Sequence, residues 1–242
     1  MNTEQLTDKL ILWIRDEVLA AGCKGVVVGV SGGLDSSVLA VLCYRAFPQS
    51  MLGVLMPCYS SHEDMEHARS MVSQFSIPIK TVVLDTVFDA LLKALPNDSG
   101  DPSVNRLAEG NLKARLRMLT LYYFANRLKY MVAGSGNRSE LSIGYFTKHG
   151  DGGVDILPLG GLVKGQVKEL GSFLGIPQEI IDKPPSAGLW QGQTDEGELG
   201  LSYDELDRYL VTGEASNEVK RKIESMIAAS DHKRQPPPVA SF

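Results

Sequence analysis

The sequence has few cysteines, no long apolar run near its start and no excess of positive charge. Its 242 residues include Cys23, Cys43 and Cys58 but no C-x-x-C pair, which favours free thiols in a reducing compartment over a disulfide framework or a zinc site. We interpret the three cysteines as buried, inert thiols. The first twenty residues carry charges among their apolar positions, unlike a signal peptide or a membrane span, so we expect a cytoplasmic protein without a membrane partner.

The charge balance also limits the partners. The chain has 29 acidic and 24 basic side chains, and its net charge of -5 gives no overall attraction to nucleic acid, although a local basic patch is compatible with it. With 43% hydrophobic residues the chain can bury a substantial core. Because no internal repeat and no clear linker divides it, we predict one domain over residues 1–242.

Strand and helix patterns alternate along the first half of the chain. A first helix is predicted by the spacing of Leu6, Leu10, Trp13, Ile14 and Val18. Apolar runs predict strands at 26–30, 51–56, 79–85 and 130–136, and the segments 35–47, 63–75 and 104–129 predict helices between them. This order predicts an α/β fold with a doubly wound parallel sheet flanked by helices, whose ligands bind at the carboxyl ends of the strands.

The turn after the first strand, SGGLDS at 31–36, is rich in small polar residues. Gly32 and Gly33 let the backbone approach a ligand, and the following helix offers unpaired N–H groups and the positive end of its dipole. Asp35 either caps that helix or holds a magnesium ion beside a phosphate. Neither the Walker A pattern nor the dinucleotide pattern G-x-G-x-x-G occurs here. The turn therefore predicts an anion-binding site with hydroxyl donors from its serines.

This turn resembles the pyrophosphate loop of the ATP pyrophosphatases, enzymes that cleave ATP to AMP and pyrophosphate while they adenylate an oxygen. From about Gly25 onward, four further stretches make the chain similar to ammonia-dependent NAD synthetase. These stretches are GNLKARLRM (110–118), GYFTKHGDGGVDILPLGGLVKGQVKEL (144–170), KPPSAGLWQGQTDEGELGLSYDELDRYL (183–210) and HKRQPP (232–237). The resemblance implies a carbon–nitrogen ligase that adenylates the carboxylate of nicotinic acid adenine dinucleotide (deamido-NAD) with ATP and Mg²⁺. Ammonia then displaces AMP to give NAD.

The resemblance also implies binding roles for individual positions. ATP is expected to contact Gly29, Val30, Ser31, Gly32, Gly33, Leu34, Asp35, Ser36, Ser135, Lys164 and Ser186. Mg²⁺ is expected at Asp35 and Glu140, and deamido-NAD at Arg115, Lys148, Asp155, His232 and Lys233. Taken alone, Arg115 and Glu140 are more often ordinary surface side chains, Lys164 also fits a solvated lysine at the start of a helix, and His232 fits a mobile tail.

Departures from the family pattern leave some of these roles open. Residues 135–140 read SGNRSE, where many bacterial relatives have Thr-Asp-His-Ala-Ala-Glu, so the contacts of Ser135 and Asn137 stay open. Ser186 stands where a threonine is common, which keeps the hydroxyl. No amidohydrolase segment is recognisable, which implies free ammonia or ammonia delivered by a partner.

Three other interpretations compete with NAD synthetase. The ATP pyrophosphatase subunit of GMP synthetase shares the SGG-x-DS turn but should lack the FTKHGDGG and TDEGELG stretches present here. A tRNA-thiolating enzyme usually has paired cysteines and a basic surface, which this chain lacks. A non-catalytic nucleotide-binding module has the same general fold, but the carboxylates matching the magnesium ligands favour an enzyme.

The resemblance finally implies an assembly and two moving segments. We expect a homodimer whose interface includes the long helix from Val104, because its apolar positions exceed one narrow stripe. The irregular segment 183–200 should be mobile without ligands and close over them, since its glycines loosen the backbone and Leu189 and Trp190 have apolar surface to bury. The tail 231–242 should fold over the substrate.

Overall fold

In the computed structural model, which describes residues 2–96, 101–190 and 192–240, a parallel sheet carries helices on both faces. The strands are β1 (Val26–Gly29), β2 (Met51–Leu55), β3 (Ile79–Thr81) and β4 (Met131–Ala133). The helices before β4 are α1 (Thr3–Ala20), α2 (Leu34–Ala46), α3 (His62–Gln74), α4 (Asp85–Ala94) and α5 (Pro102–Leu128). Those after it are α6 (Arg138–Ile143), α7 (Lys164–Leu174), α8 (Gln178–Ile181), α9 (Asp195–Leu199), α10 (Tyr203–Thr212), α11 (Asn217–Ala229) and α12 (Asp231–Arg234). The predicted fold class is confirmed.

Strand β1 lies in the middle of the sheet, where both faces are covered. Its residues Val26, Val27 and Val28 are fully buried, as expected for an unbroken apolar run. The spatial order is β3-β2-β1-β4, so the chain winds outward from β1 to β3 and then returns to the other side of β1. The switch point of the winding therefore lies between the carboxyl ends of β1 and β4, where doubly wound sheets bind their ligands.

Each face of the sheet has its own apolar core because successive strand residues point to opposite sides. Val26 and Val28 pack on the side of α1, α2 and α7, whereas Val27 packs on the side of α4 and α5. Helix α2 contacts the sheet, α1 and α7, and most of its side chains are buried. A third, smaller core joins α6, α10 and α11 around Leu206 and Ile223. This third core carries the C-terminal segments to the rim of the switch point.

The structure differs from the sequence predictions in three places. The sequence predicts one strand over 79–85, but β3 ends at Thr81 and α4 begins at Asp85. The reason is that Leu84 turns into the core while β3 stays exposed at the sheet edge. Trp13 is 40% exposed, since Ile14 and Val18 take the buried face of α1. The irregular segment 183–200 contains the short helix α9.

The cysteines are unpaired, and none of the helices described is long and apolar enough to cross a bilayer. Cys43 and Cys58 are buried, and burial raises the pKa of both thiols. The predicted burial is confirmed for these two thiols, and their inertness stays a prediction. Cys23 is only partly buried, because it follows the end of α1 at the edge of the first core.

Leu39 tests the contribution of α2 to the core, since its side chain is fully buried among α2 neighbours and the sheet. We expect Leu39→Ala to lower the free energy of unfolding by about 2–5 kcal/mol, because it leaves a cavity in a close-packed interior. Leu12→Ala, at a position 59% exposed, should change it by less than about 0.5 kcal/mol. Urea unfolding at fixed protein concentration measures both, and equal values for the two variants would contradict this account.

Candidate active site

A cavity of about 780 Å³ opens at the switch point of the sheet. The turn 29–36 and the carboxyl ends of β1 and β4 form its base, and α5, α6, the start of α7 and the segment 180–190 form its walls. All residues expected to contact ATP line it except Gly32: Gly29, Val30, Ser31, Gly33, Leu34, Asp35, Ser36, Ser135, Lys164 and Ser186. The structure thus brings together residues that are up to 157 positions apart in the chain.

The turn between β1 and α2 is shaped by its own serines. Ser36 Oγ lies 2.9 Å from Ser31 Oγ, accepts a hydrogen bond from Ser31 N at 3.2 Å and donates to the Gly33 carbonyl at 3.0 Å. Helix α2 begins after Gly33, and no side chain of the described residues caps it. The N–H groups of its first turn and the positive end of its dipole are therefore available to an anion in the cavity.

Gly32 serves the turn through its backbone. Its φ is +86°, and a Cβ atom at this position would lie 2.2 Å from the backbone oxygen of Asp64 in α3. The left-handed conformation and this close approach both require glycine. Gly32 therefore holds the turn against α3 without lining the cavity.

Three charged side chains meet beside the turn. Lys164 Nζ contacts the carboxylate of Asp35 and lies 3.6 Å from Glu140 Oε1. Burial and the nearby Asp35 raise the pKa of Glu140. Burial by itself would lower the pKa of Lys164, but the two carboxylates outweigh it and raise that pKa. A charged ammonium group thus holds together two carboxylates that otherwise repel each other.

Asn137 orients both carboxylates. Its Nδ2 donates to Asp35 Oδ1 at 2.8 Å, its Oδ1 accepts from the Glu140 N–H at 3.0 Å, and its own N–H donates to Glu140 Oε2 at 3.2 Å. The last two bonds form a capping box at the start of α6. The contact of Asn137, which the sequence left open, is therefore with the acidic pair, and Ser135 lines the cavity.

The donor set of this cluster fits Mg²⁺. That ion takes oxygen ligands and is usually held by one or two carboxylates together with phosphate and water oxygens. Asp35 and Glu140 already converge on one cation, the Lys164 ammonium, beside the anion-binding turn. Within the described ranges no group of three or more His, Cys, Asp or Glu side chains forms a metal centre, so phosphate and water would complete such a site.

The segment 183–190 crosses the cavity and is attached at both ends. Lys183 Nζ pairs with Asp64 Oδ1 at 2.7 Å at one end. At the other end Lys113 Nζ donates to the Leu189 carbonyl at 2.9 Å. The Trp190 ring packs against α5, and the central carbon of the Arg106 guanidinium lies 5.2 Å from the centre of that ring. The structure therefore has this segment packed on α5, and its movement on ligand binding stays a prediction.

Sequence reasoning gave no role to Asp195 and Tyr203, which support this segment. Asp195 Oδ1 accepts from the Ala187 N–H at 3.1 Å, and its Oδ2 accepts from the Tyr203 hydroxyl at 3.0 Å. Both side chains are buried, and Lys164 Nζ lies 5.2 Å from the centre of the Tyr203 ring. The signal for Asp195 was the TDEGELG stretch, but only the fold shows what this carboxylate contacts.

Four of the five residues expected to bind deamido-NAD lie in one network. Arg115 Nη2 donates to the Lys148 carbonyl at 3.3 Å, and Lys148 Nζ donates to the His232 carbonyl at 2.5 Å. Lys233 Nζ donates to the carbonyls of Gly144 and Phe146, each at 2.8 Å, and it alone of the four lines the cavity. These bonds attach the start of the tail to the rim of the cavity.

Asp155 is separate from that network. Its Oδ1 accepts from the Tyr122 hydroxyl at 2.9 Å, and its Oδ2 accepts from the Val132 N–H at 2.8 Å. Tyr122 lies two helical turns beyond Arg115 on the same face of α5. The structure therefore places Asp155 along the outer side of α5 and outside the cavity lining.

Comparison with known proteins identifies the family of this site. A family model described as NAD synthase matches residues 6–237. The chain belongs to the NAD synthase family. A relative from Carboxydothermus hydrogenoformans, an NH3-dependent NAD+ synthetase, is 49% identical over 239 residues, which are 99% of this chain and 98% of the relative.

Two solved structures extend the NAD synthase comparison to the fold, each covering 100% of both chains. An NMN synthetase from Francisella tularensis has a TM-score of 0.93 and 36% identity. An NH3-dependent NAD synthetase from Campylobacter jejuni has a TM-score of 0.81 and 26% identity. Membership of the NAD synthase family makes this chain an enzyme of the ligase class that uses ATP, which agrees with the anion-binding turn at the base of its cavity.

Gly32 gives a direct test of the ATP-binding turn in this NAD synthase. We expect Gly32→Ala to weaken ATP binding by at least about tenfold, because the new Cβ would strain φ and push the turn away from Asp64. Gly161→Ala is the control, since a Cβ there meets no atom within 4 Å. Isothermal titration with ATP measures both. Unchanged affinity in Gly32→Ala would show that the turn does not hold ATP.

Proposed function

We propose that this enzyme amidates nicotinic acid adenine dinucleotide to NAD, with ammonia as the nitrogen donor and ATP cleaved to AMP and pyrophosphate. The observation that carries the proposal is the joint position of the anion-binding turn and the Asp35–Lys164–Glu140 cluster at the base of one cavity. The name of the Carboxydothermus relative, which is matched over nearly its full length, supports the same reaction.

The chemistry explains why such a site needs no side-chain nucleophile. A carboxylate is a poor acceptor for an amine, so one oxygen of the nicotinate carboxylate first attacks the α-phosphorus of ATP and releases pyrophosphate. Ammonia then attacks the carboxyl carbon of the adenylated nicotinate, AMP leaves with the shared oxygen, and one proton goes to solvent. Catalysis of both steps depends on positioning and on neutralising phosphate charge.

The residues at the base of the cavity suit that task. The backbone N–H groups at the start of α2 and the hydroxyls of Ser31 and Ser36 form the phosphate-binding surface. Lys164 supplies a positive charge at the same place, and Asn137 keeps Asp35 directed at it. We propose Mg²⁺ as the cofactor at Asp35 and Glu140, where it would neutralise charge on the departing pyrophosphate.

Exclusion of water is the second requirement, because an acyl-adenylate exposed to water hydrolyses before ammonia attacks it. The segment 183–190 lies across the cavity and is held by Lys183, Asp195 and Lys113. We assign it the role of cover over ATP and substrate. A permanently packed loop without a gating role is the alternative that hydrogen exchange with and without ligands would distinguish.

The network of Arg115, Lys148, His232 and Lys233 supports a binding site for the dinucleotide substrate. This network begins in the cavity at Lys233 and ends at Arg115 on the outer surface of α5. Asp155 contacts the same helix farther along, through Tyr122. We propose that the nicotinate end of deamido-NAD enters the cavity while its adenylyl end follows this outer surface. The tail from residue 231 would fold over it; residues 241 and 242 lie outside the described residues.

A mononucleotide substrate is the second candidate. The NMN synthetase from Francisella tularensis exceeds the Campylobacter NAD synthetase in both identity and TM-score against this chain, 36% and 0.93 against 26% and 0.81. Nicotinic acid mononucleotide has the same carboxylate but lacks the adenylyl part. On that substrate the cavity would be used in the same way and the outer surface of α5 would not be used.

A substrate comparison tests the proposed function. We expect NAD to form from deamido-NAD with ammonia and ATP, with one AMP released for each NAD, and little product with glutamine. Measuring kcat/KM for deamido-NAD and for nicotinic acid mononucleotide decides between the two candidates. Absence of AMP release with both acids would contradict the proposed function, and a higher value for the mononucleotide would establish the second candidate.

Variants of the acidic cluster test the magnesium site. Asn137→Ala should lower the apparent Mg²⁺ affinity by about 10–100-fold, because it removes the group that orients Asp35. Asp35→Ala and Glu140→Ala each remove a proposed ligand and should lower turnover further at limiting Mg²⁺. Glu169→Ala, at an exposed position of α7, is the control. Full activity of Asp35→Ala and Glu140→Ala at limiting Mg²⁺ would overturn the metal assignment.

We propose a homodimer formed through α4 and α5. These helices carry exposed apolar side chains, with Val87 at 51%, Leu119 at 60% and Tyr123 at 54% exposure. Leu119 and Tyr123 are one turn apart on α5, next to the outer surface that we assign to the dinucleotide. A second copy would cover this apolar surface and complete the substrate site.

Light scattering tests the assembly. The wild-type protein should have twice the chain mass of 26.3 kDa, and Leu119→Arg should shift it to the mass of one chain, because a charge would be buried in the interface. Leu12→Arg, at a position on α1 with 59% exposure, should leave the dimer intact. A preparation that makes NAD with the mass of one chain would disprove the dimer.

We place the enzyme in the cytoplasm and assign it no nucleic-acid partner. The three unpaired cysteines support a reducing compartment. The net charge of -5 supports the assignment of no nucleic-acid partner.

A further inference from the structure

The cationic side chains that line the cavity differ in what neutralises them. They are Arg117, Lys164, Lys168, Lys183 and Lys233. Lys164, Lys168 and Lys183 each lie within 4.0 Å of a carboxylate. Lys233 donates to two backbone carbonyls. In the part of the chain that the structure describes, Arg117 has no carboxylate within 4.0 Å, and only neutral oxygens accept its hydrogen bonds.

The guanidinium of Arg117 is fixed but not saturated. Its Nε donates to the Met56 carbonyl at 3.2 Å, and its Nη2 donates to Ser60 Oγ at 3.4 Å. Both acceptors belong to the segment that follows β2 at the carboxyl end of the sheet. An arginine has five N–H donors, so three are left for a partner in the cavity. The two bonds hold the plane of the group, which reduces the entropy lost when an anion binds.

The surroundings of Arg117 are partly apolar, and the two carboxylates nearest to it are engaged elsewhere: Asp64 pairs with Lys183, and Asp151 accepts from the Thr147 N–H. Ala114 and Leu121, three residues before it and four after it on α5, line the same cavity, as do Met56 and Pro57. Arg115 is only two residues away and therefore lies on another face of the helix, in the outer network. The KARLRM stretch thus supplies one arginine to each side of α5.

A buried cation without a directly paired carboxylate is costly, and a bound anion reduces that cost. The fork of N–H groups matches the paired oxygens of a carboxylate or a phosphoryl group. We propose that Arg117 is a substrate-binding residue that holds such an oxygen pair, either the nicotinate carboxylate or a phosphoryl group of ATP. This proposal rests on the proposed function, because it takes its two anions from that reaction.

Binding measurements on four ligands test the role of Arg117. Deamido-NAD and NAD differ at the nicotinate end, where one has a carboxylate and the other an amide, and ATP and adenosine differ by the phosphates. We expect Arg117→Gln to weaken binding of either deamido-NAD or ATP by about tenfold or more, while the counterpart that lacks the anion in question, NAD or adenosine, binds as in the wild type. Loss for deamido-NAD alone assigns the carboxylate, and loss for ATP alone assigns the phosphoryl group.

Arg117→Lys and Arg69→Gln are the matched variants. The lysine keeps the charge without the fork and should recover part of the lost affinity, and Arg69, exposed on α3, should have no effect. Thermal unfolding shows whether each variant is folded. Equal loss of affinity for all four ligands would overturn the proposal, because Arg117 would then only support the segment 56–60. Unchanged affinity for all four ligands would overturn it as well. The binding measurements use isothermal titration calorimetry, which needs no turnover. A wild-type enzyme that is inactive would therefore contradict the proposed function but not the binding role of Arg117.

Discussion

The contact of Lys164 with Asp35 and Glu140 is the interaction on which the rest of the site depends. It joins α2, α6 and α7, which come from three separate regions of the chain and from both sides of the switch point. Burial and the nearby Asp35 raise the pKa of Glu140 while the Lys164 ammonium group opposes that rise, and the two carboxylates raise the pKa of Lys164 against the effect of burial. The cluster is therefore mutually dependent, and it fixes the position of the anion-binding turn relative to α7.

Around this cluster, the architecture separates rigid from adjustable parts. The turn and its cluster rest on β1, α2 and α7, which belong to the largest apolar core. The segment 183–190 is attached by polar contacts such as that of Lys183 and by the packing of Trp190 on α5, and Lys148 attaches the start of the tail by a polar contact. Polar contacts exchange more readily for water than apolar packing does. This distribution is compatible with the proposed roles, in which the phosphate site is preformed and the segment 183–190 covers the substrate.

Helix α5 serves two surfaces at once. Arg117 faces the cavity, whereas Arg115 and Tyr122 face the outer surface near Lys148 and Asp155. Because residues two positions apart in a helix point in different directions, one short run with basic residues serves two different environments. The same helix also exposes Leu119, so the proposed substrate surface and the proposed dimer contact adjoin.

The amino-acid sequence determined the fold class and the family and indicated the turn proposed to bind ATP, because these depend on local patterns: apolar runs, glycine spacing and short motifs. It also indicated Lys164 and Glu140, but only through resemblance, since each fits a surface side chain equally well. The tertiary structure alone decided that Asn137 orients Asp35, that Asp195 supports the segment over the cavity, and that Arg117 faces the cavity while Asp155 does not. Those roles depend on contacts between residues up to 102 positions apart, and on the charges and cavities that surround them, which no local pattern encodes.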